Sequence, residues 1–247
     1  MKMKLEYLVK IESPHNHLVQ IRIKSNRTNQ NKVSFFLPSW SPGSYLMREY
    51  ARHVRTFEAK QMNGESLFCQ KVKKGIWEID WEKSELNSPS EDFEIIYEVY
   101  CRELTVRTSI VDESHAFLHG PSYLMGILNE EMLDPEIEFR FPDSWSKLTT
   151  SLTNISKDRN QFLYTAKDYD NLLDCPVEIG CHETSGFKYR DKDHHLAFYG
   201  KTLPHENNLE KDIQTIVEHI GDYMEDVPYD HYYFCLLYTS PSPRDRG

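Results

Sequence analysis

The chain has 247 residues, 39% of them hydrophobic and 13% aromatic, with a formal net charge of −10. That length allows one large domain or two ordinary ones, and that composition suffices for a packed core. The acidic balance argues against a nucleic-acid partner, which would want a basic face, and no apolar stretch approaches the roughly 20 residues needed to cross a bilayer.

The chain opens Met-Lys-Met-Lys-Leu-Glu-Tyr-Leu-Val, which has no apolar h-region and alternates like a strand. No secretory signal or membrane partner is therefore expected, and the cytoplasm is the expected compartment. Leu5, Tyr7, Val9 and Ile11 alternate with polar residues, as do Val19, Ile21 and Ile23, and Trp77, Ile79 and Trp81. Phe93, Ile95, Tyr97, Val99 and Cys101 form one face of a longer segment, and Ile137, Phe139 and Phe141 one face of another. Period-two alternation means a strand with one buried and one wet face. Turn strings such as Ser13-Pro14-His15-Asn16, Asn63-Gly64 and Asn87-Ser88-Pro89-Ser90 separate the strands, so the expectation is an antiparallel β-sandwich over residues 1–168. The pattern changes near residue 207. Leu209, Ile213, Ile216, Val217, Ile220 and Met224 recur at helical spacing, Asn207 or Asn208 can cap the helix, and Pro228 lies just beyond it.

Between the early strands, Leu37-Pro38-Ser39-Trp40-Ser41-Pro42-Gly43-Ser44-Tyr45-Leu46 is a rigid excursion, fixed by two prolines and a glycine. It either presents Tyr45 and Arg48 to a ligand or packs Trp40 and Tyr45 over the end of the sandwich. Residues 235–247, Cys-Leu-Leu-Tyr-Thr-Ser-Pro-Ser-Pro-Arg-Asp-Arg-Gly, have no apolar period. They look like translated sequencing-adapter DNA, are expected to be a non-native tail, and are not expected to continue a strand or helix. The other cysteines, Cys69, Cys101, Cys175 and Cys181, include no C-x-x-C pair and read as free thiols.

Four ordered strings point to a family. They are Leu37 to Leu46 with Arg48-Glu49-Tyr50-Ala51-Arg52-His53-Val54; Lys74-Gly75-Ile76-Trp77; Tyr97-Glu98-Val99-Tyr100 leading to Leu104-Thr105-Val106-Arg107-Thr108-Ser109; and Leu172-Leu173-Asp174-Cys175-Pro176-Val177-Glu178-Ile179-Gly180. Together they resemble the N-terminal domain of the glycyl aminopeptidase family of zinc metallopeptidases, over about residues 3–234. The resemblance implies a mainly β chain: a sandwich followed, over 169–234, by the first strands and helix of an α+β thermolysin-like domain that is cut short. It implies zinc and a peptide substrate with a small N-terminal residue in the intact parent. The family's zinc-binding His-Glu-x-x-His is expected beyond the break, so this fragment is expected to hold no metal and to lack activity.

The string His182-Glu183-Thr184-Ser185-Gly186 has glycine where the second histidine would stand and is rejected as a zinc motif. His182, Asp191, Asp193, His194, His195 and His205 share one stretch, but adjacent His194 and His195 would face opposite sides of a strand. Solvated polar turns are the simpler reading. The resemblance implies one further placement. The sandwich of related larger aminopeptidases lends a loop to the substrate pocket, which here falls at 117–123, with His119, Gly120, Ser122 and Tyr123 facing the substrate. An ordinary hairpin loop around Gly120-Pro121 competes with that reading. Arg107 stands where the family has arginine, as a buried ion pair or a ligand contact. The alternative to a peptidase fragment is a non-enzymatic peptide- or carbohydrate-binding module.

Overall fold

Each alternating segment named above is a strand in the computed structural model, which describes residues 4–27, 30–41, 44–88, 90, 92–105, 107–158, 160–200 and 208–237. The chain is mainly β, as expected. Its strands in order are β1 (Glu6–Lys10), β2 (Leu18–Asn26), β3 (Lys32–Phe36), β4 (Val54–Gln61), β5 (Ser66–Lys73), β6 (Ile76–Asp80), β7 (Asp92–Tyr100), β8 (Ile110–Val111) and β9 (His115–Leu118). They continue with β10 (Gly126–Ile127), β11 (Glu136–Arg140), β12 (Lys147–Thr150), β13 (Thr153–Asn154), β14 (Leu163–Thr165), β15 (Val177–Gly180), β16 (Glu183–Tyr189), β17 (Lys192–Tyr199) and β18 (His231–Leu237). Two α-helices stand among the described residues, α1 (Tyr169–Asp174) and α2 (Leu209–Met224). No described helix is long and apolar enough to cross a membrane.

The main sheet has the strand order β10-β3-β6-β5-β4-β7-β2-β1-β11-β14-β13. Its two halves face each other. At the β4–β5 hairpin only Ala59–Leu67 and Lys60–Ser66 pair. The halves then meet through aromatic rings: Phe35 packs edge-on to Phe93 at 6.2 Å, Trp81 edge-on to Phe93 at 5.2 Å, and Phe57 stacks on Trp77 at 5.6 Å. Register aligns the inward rows, with Val19 opposite Val99, Ile21 opposite Tyr97 and Ile23 opposite Ile95. All six are buried. Cross-strand apolar pairs of this kind are the unit of sheet stabilisation.

Among the described strands two pairings are parallel, β1 with β11 and β17 with β18. The second needs a crossover, and α2 supplies it. A four-stranded sheet, β12-β15-β9-β8, packs alongside, and β16-β17-β18 form a third. The tail expectation needs one correction. Cys235, Leu236 and Leu237 extend β18, paired with Ala197, Phe198 and Tyr199. Their apolar side chains suit continued pairing along β17; residues 238–247 lie outside the described residues.

Helix α2 lies where its periodicity predicts. Asn207 is outside the described residues, and Asn208 occupies the N-cap without a side-chain capping bond. Gly221 admits the Tyr189 ring of β16, since a Cβ there would come within 3.1 Å of its Cζ. Tyr189 Oη and Arg190 both donate to Asp222, at 2.5 and 3.0 Å. The helix's apolar stripe is not fully covered: Ile216 is 57% exposed and Ile220 58%.

Candidate functional site

Three tyrosines that the alternation turns inward shape the site. A hydroxyl in an aliphatic core must find a partner, because an unbonded buried donor is costly. Tyr7 Oη donates to Met125 O at 2.8 Å, Tyr97 Oη to Tyr123 O at 2.7 Å, and Tyr169 Oη to Leu124 O at 2.8 Å. Tyr97 Oη also accepts from Met125 N–H at 3.0 Å. The backbone of 123–125 thus crosses the core as an irregular segment: its three carbonyls and the Met125 N–H are met by tyrosine side chains, and the Tyr123 and Leu124 N–H groups donate back to Gly120 O.

That clamp anchors the turn just before it. Gly120–Ser122 form a short 3₁₀ turn, closed by Ser122 N–H to His119 O at 2.9 Å. Ser109 Oγ accepts from His119 N–H at 2.9 Å and lies 2.6 Å from Ser122 Oγ. Gly120 is packed against α1, where an added Cβ would overlap the Leu173 carbonyl and come within 2.7 Å of Leu173 Cα. Of the four residues expected to face substrate, His119 lines a cavity. Gly120 and Ser122 are buried against neighbouring backbone, and Tyr123 is buried in the core.

The cavity has a volume of about 780 Å³ and is lined from three segments. The Pro-rich loop contributes Trp40 and Ser41 after Phe36; the second segment contributes Arg107 and His119; α1 contributes Asp170 and Asp174. Helix α1 is started by Asp168, whose carboxylate accepts from Asn171 N–H at 2.7 Å, and Tyr169 packs edge-on to Phe36 at 5.7 Å. In the loop, Trp40 Nε1 donates to Ser44 O at 2.8 Å, while Tyr45, Leu46 and Met47 stand exposed. Pro42 and Gly43 lie outside the described residues.

The electrostatics are as mixed as the lining. Burial, with Arg107 and Arg48 nearby, pushes the His119 imidazole down to about 4, so it is neutral at neutral pH. Tyr50 Oη donates to Arg107 O at 2.9 Å and its ring lies 6.1 Å from that of His119. Arg107 and Arg48 both act on the His119 ring, and a neutral imidazole can donate or accept a hydrogen bond. The arrangement suits recognition of a charged, partly apolar ligand.

Residues 6–181 match the family model described as the peptidase M61 N-terminal domain. The chain belongs to that family. No curated protein matches it. Among solved structures, an aminopeptidase N family protein from Idiomarina loihiensis is similar with a TM-score of 0.84 at 24% identity, over 94% of this chain and 39% of that one. An M1 zinc metallopeptidase from Deinococcus radiodurans is similar with a TM-score of 0.56 at 9% identity, over 98% of this chain and 58% of that one. A point variant of that protein gives 0.57 at 9%, over 99% and 62%. At these identities the likeness shows the fold alone. The chain spans less than two thirds of the length of these solved proteins.

Beyond the residues matched to the M61 N-terminal domain, the described part of the histidine-rich stretch is not arranged to hold zinc. His182 is buried and its Nε2 lies 2.7 Å from Thr149 Oγ1. Residues 183–186 lie on β16, not on a helix. Gly186 passes so close to β17 that an added Cβ would meet His194 O at 2.5 Å. His194 stacks on Phe187 at 4.8 Å and its Nε2 meets Tyr229 Oη at 2.9 Å, while His195 stacks on Tyr233 at 4.5 Å. His205 lies outside the described residues. Among those described, no group of three His, Cys, Asp or Glu side chains is placed to hold a metal ion.

Proposed function

We propose that this chain is the N-terminal, β-rich part of a zinc-dependent aminopeptidase that removes small N-terminal residues such as glycine and alanine from peptides, and that its own residues do not hydrolyse peptides. The family match over residues 6–181 carries the reading. Two further observations support it. The similar solved proteins are longer, with this chain covering 39% and 58% of two of them. The apolar stripe of α2 leaves Ile216 and Ile220 more than half exposed, as a helix would that packs on further chain. In this reading the domain's part is to hold its sandwich and the His119 cavity against the catalytic half, with the zinc ligands and the water-activating glutamate carried elsewhere in the parent.

The test compares the chain as it stands with a version extended by the downstream coding sequence. Bound zinc and hydrolysis of glycyl- and alanyl-p-nitroanilide are measured for both. The expected result is stoichiometric zinc and chelator-sensitive hydrolysis in the extended protein alone. Zinc-dependent hydrolysis by the present chain, or an extended protein with no His-Glu-x-x-His, would overturn the reading.

A further inference from the structure

Strand β15 alternates across its sheet, and its two faces differ in kind. Val177 and Ile179, with Ala116 and Leu118 of the neighbouring β9, are buried in the core of the sandwich. Glu178 and His115 turn to the other face, where each side chain is 1% exposed and His115 Nδ1 lies 2.7 Å from Glu178 Oε1. Gly180, opposite His115, leaves room for this approach, since a Cβ there would come within 3.0 Å of His115 Cβ. Strands of the third sheet cover the pair. The Tyr199 ring, at the end of β17, stacks on His115 at 3.5 Å and 12°, and its hydroxyl donates to Ser114 Oγ. Ser114 Oγ in turn donates to Asp112 Oδ1, which also accepts from the His115 N–H at 3.1 Å. The titratable groups near the pair are Asp112 in the turn before β9, Cys235 on β18, and His182 after β15, the last also near Lys147 of β12.

Glu178 Oε2 is buried with no hydrogen-bond partner among the described residues. A neutral carboxyl bears that at modest cost, whereas an ionised one holds a charge out of water with one oxygen unmet, which costs far more. Water can relieve such a charge only from the side of the third sheet, because the opposite side of β15 is packed core. We propose that His115 and Glu178 form a proton-operated catch between the sandwich and the third sheet: with Glu178 protonated and donating to His115 Nδ1, Tyr199 and the end of β17 stay closed over the pair, and when Glu178 gives its proton to solvent the seam opens to hydrate the carboxylate. Burial holds the Glu178 carboxyl above its ordinary value of 4.5, against the opposing pull of His115. The unfolded chain therefore loses this proton first as pH rises. The closed seam is stabilised most below 4.5 and loses that stabilisation as pH rises through the folded value. Asp112, whose burial is outweighed by bonds from Ser114 and the His115 N–H, is held below the usual carboxylate range, and its charge favours the protonated form of Glu178. Burial pushes His182 down to about 4 and Cys235 up to about 11, so neither changes charge between pH 5 and pH 8.

Hydrogen exchange on the full chain, corrected for the intrinsic pH dependence of exchange, reads the seam in peptides covering 192–199 and the sandwich in peptides covering 92–100. In the unsubstituted chain, protection over 192–199 should fall severalfold relative to 92–100 between pH 5 and pH 8. Glu178→Gln keeps the shape and donates to Nδ1 at every pH, so it should hold protection high and abolish the fall. Carbon-13 labelling of the glutamate side chains gives a second reading that needs no variant: the Glu178 carboxyl resonance, assigned through its own side-chain couplings, should titrate over the pH range in which protection is lost. A ratio between the two regions that does not change with pH, a fall that survives in Glu178→Gln, or a Glu178 carboxyl that has fully titrated before protection falls would each overturn the proposal. All of these are read on the chain as it stands, without peptide hydrolysis, so the outcome is separate from that of the peptidase test.

Discussion

Tyr97→Phe tests the idea that a side-chain clamp, not a strand pairing, holds the 123–125 segment. Tyr97 is 0% exposed. Its hydroxyl donates to Tyr123 O at 2.7 Å and accepts from Met125 N–H at 3.0 Å. Phenylalanine keeps the ring, so packing is almost unchanged, but both backbone groups lose their partner in a place water does not reach. Each unsatisfied buried group costs about 1–3 kcal/mol. The two lie two residues apart on one segment and relax together, so the loss should be about 3 kcal/mol rather than the sum. Tyr7→Phe and Tyr169→Phe each orphan a single carbonyl, Met125 O and Leu124 O, and should cost about 1–2 kcal/mol. Urea unfolding followed by circular dichroism gives the ranking, and hydrogen exchange at the Met125 amide gives the site. A Tyr97→Phe variant no less stable than Tyr169→Phe, or one that keeps full protection at Met125, would refute the clamp.

Gly120→Ala places a methyl group on the Leu173 backbone and should cost about 3 kcal/mol or more, read as a lowered urea midpoint. His119 protonates at about 4 in the folded chain and at 6.5 when unperturbed, so the unfolded state takes up protons first as pH falls. Stability should therefore be flat above pH 6.5 and decline towards pH 4, by at most about 3 kcal/mol from this residue. His182, also held at about 4, adds to the decline, whereas Glu178, raised by burial, acts in the opposite sense. The test is thus the difference between the chain and His119→Asn across pH 4–7, and that difference should shrink as pH falls. Replacing Ile216 and Ile220 by lysine should change stability by under about 0.5 kcal/mol, since both are more than half exposed, and should reduce self-association in light scattering. Among the thiols, exposed Cys181 should be alkylated first, while Cys101, buried and pushed up to about 12, should react only on unfolding, as mass spectrometry would show.

Much of the sandwich is legible in the sequence because alternation reports burial directly. Tyr97, Ile95 and Phe93 lie on the inward face, and β7 follows. Helix α2 is equally plain from its spacing, yet not what covers it, because a stripe shows that a face is apolar and not which neighbour meets it. The parallel pairs are invisible: β1 and β11 alternate as antiparallel strands do, and their register depends on 125 residues of intervening chain finding one another. The candidate site is legible in part. The resemblance leads to His119, but Tyr123 lies in the unbroken apolar run Tyr123-Leu124-Met125-Gly126-Ile127, all buried, which carries no period to show which way a side chain faces. Asp170 and Asp174 go unnoticed because charges four apart usually mark a wet helix face. The structure places them on the wall of a cavity that Arg107 also lines.

The inward tyrosines carry a further signal. Tyrosines at 7 and 97 occupy inward positions among valine, isoleucine and phenylalanine, where no hydroxyl can stay unbonded at low cost. The neighbouring strands use their own backbone groups in the ladder. The acceptors must then come from backbone that belongs to no ladder, so two inward tyrosines on one face of the same sheet call for an irregular segment within the core. The structure has that segment at 123–125, with Tyr169 as a third donor from the opposite side of the chain's connectivity. The same backbone ends in the turn that carries His119, which ties the geometry of the cavity to the core of the sandwich instead of to a surface loop. A substitution at Tyr97, whose side chain lies outside the cavity lining, should therefore lower hydrogen-exchange protection of the His119 amide along with stability, while one at exposed Tyr45 should affect neither.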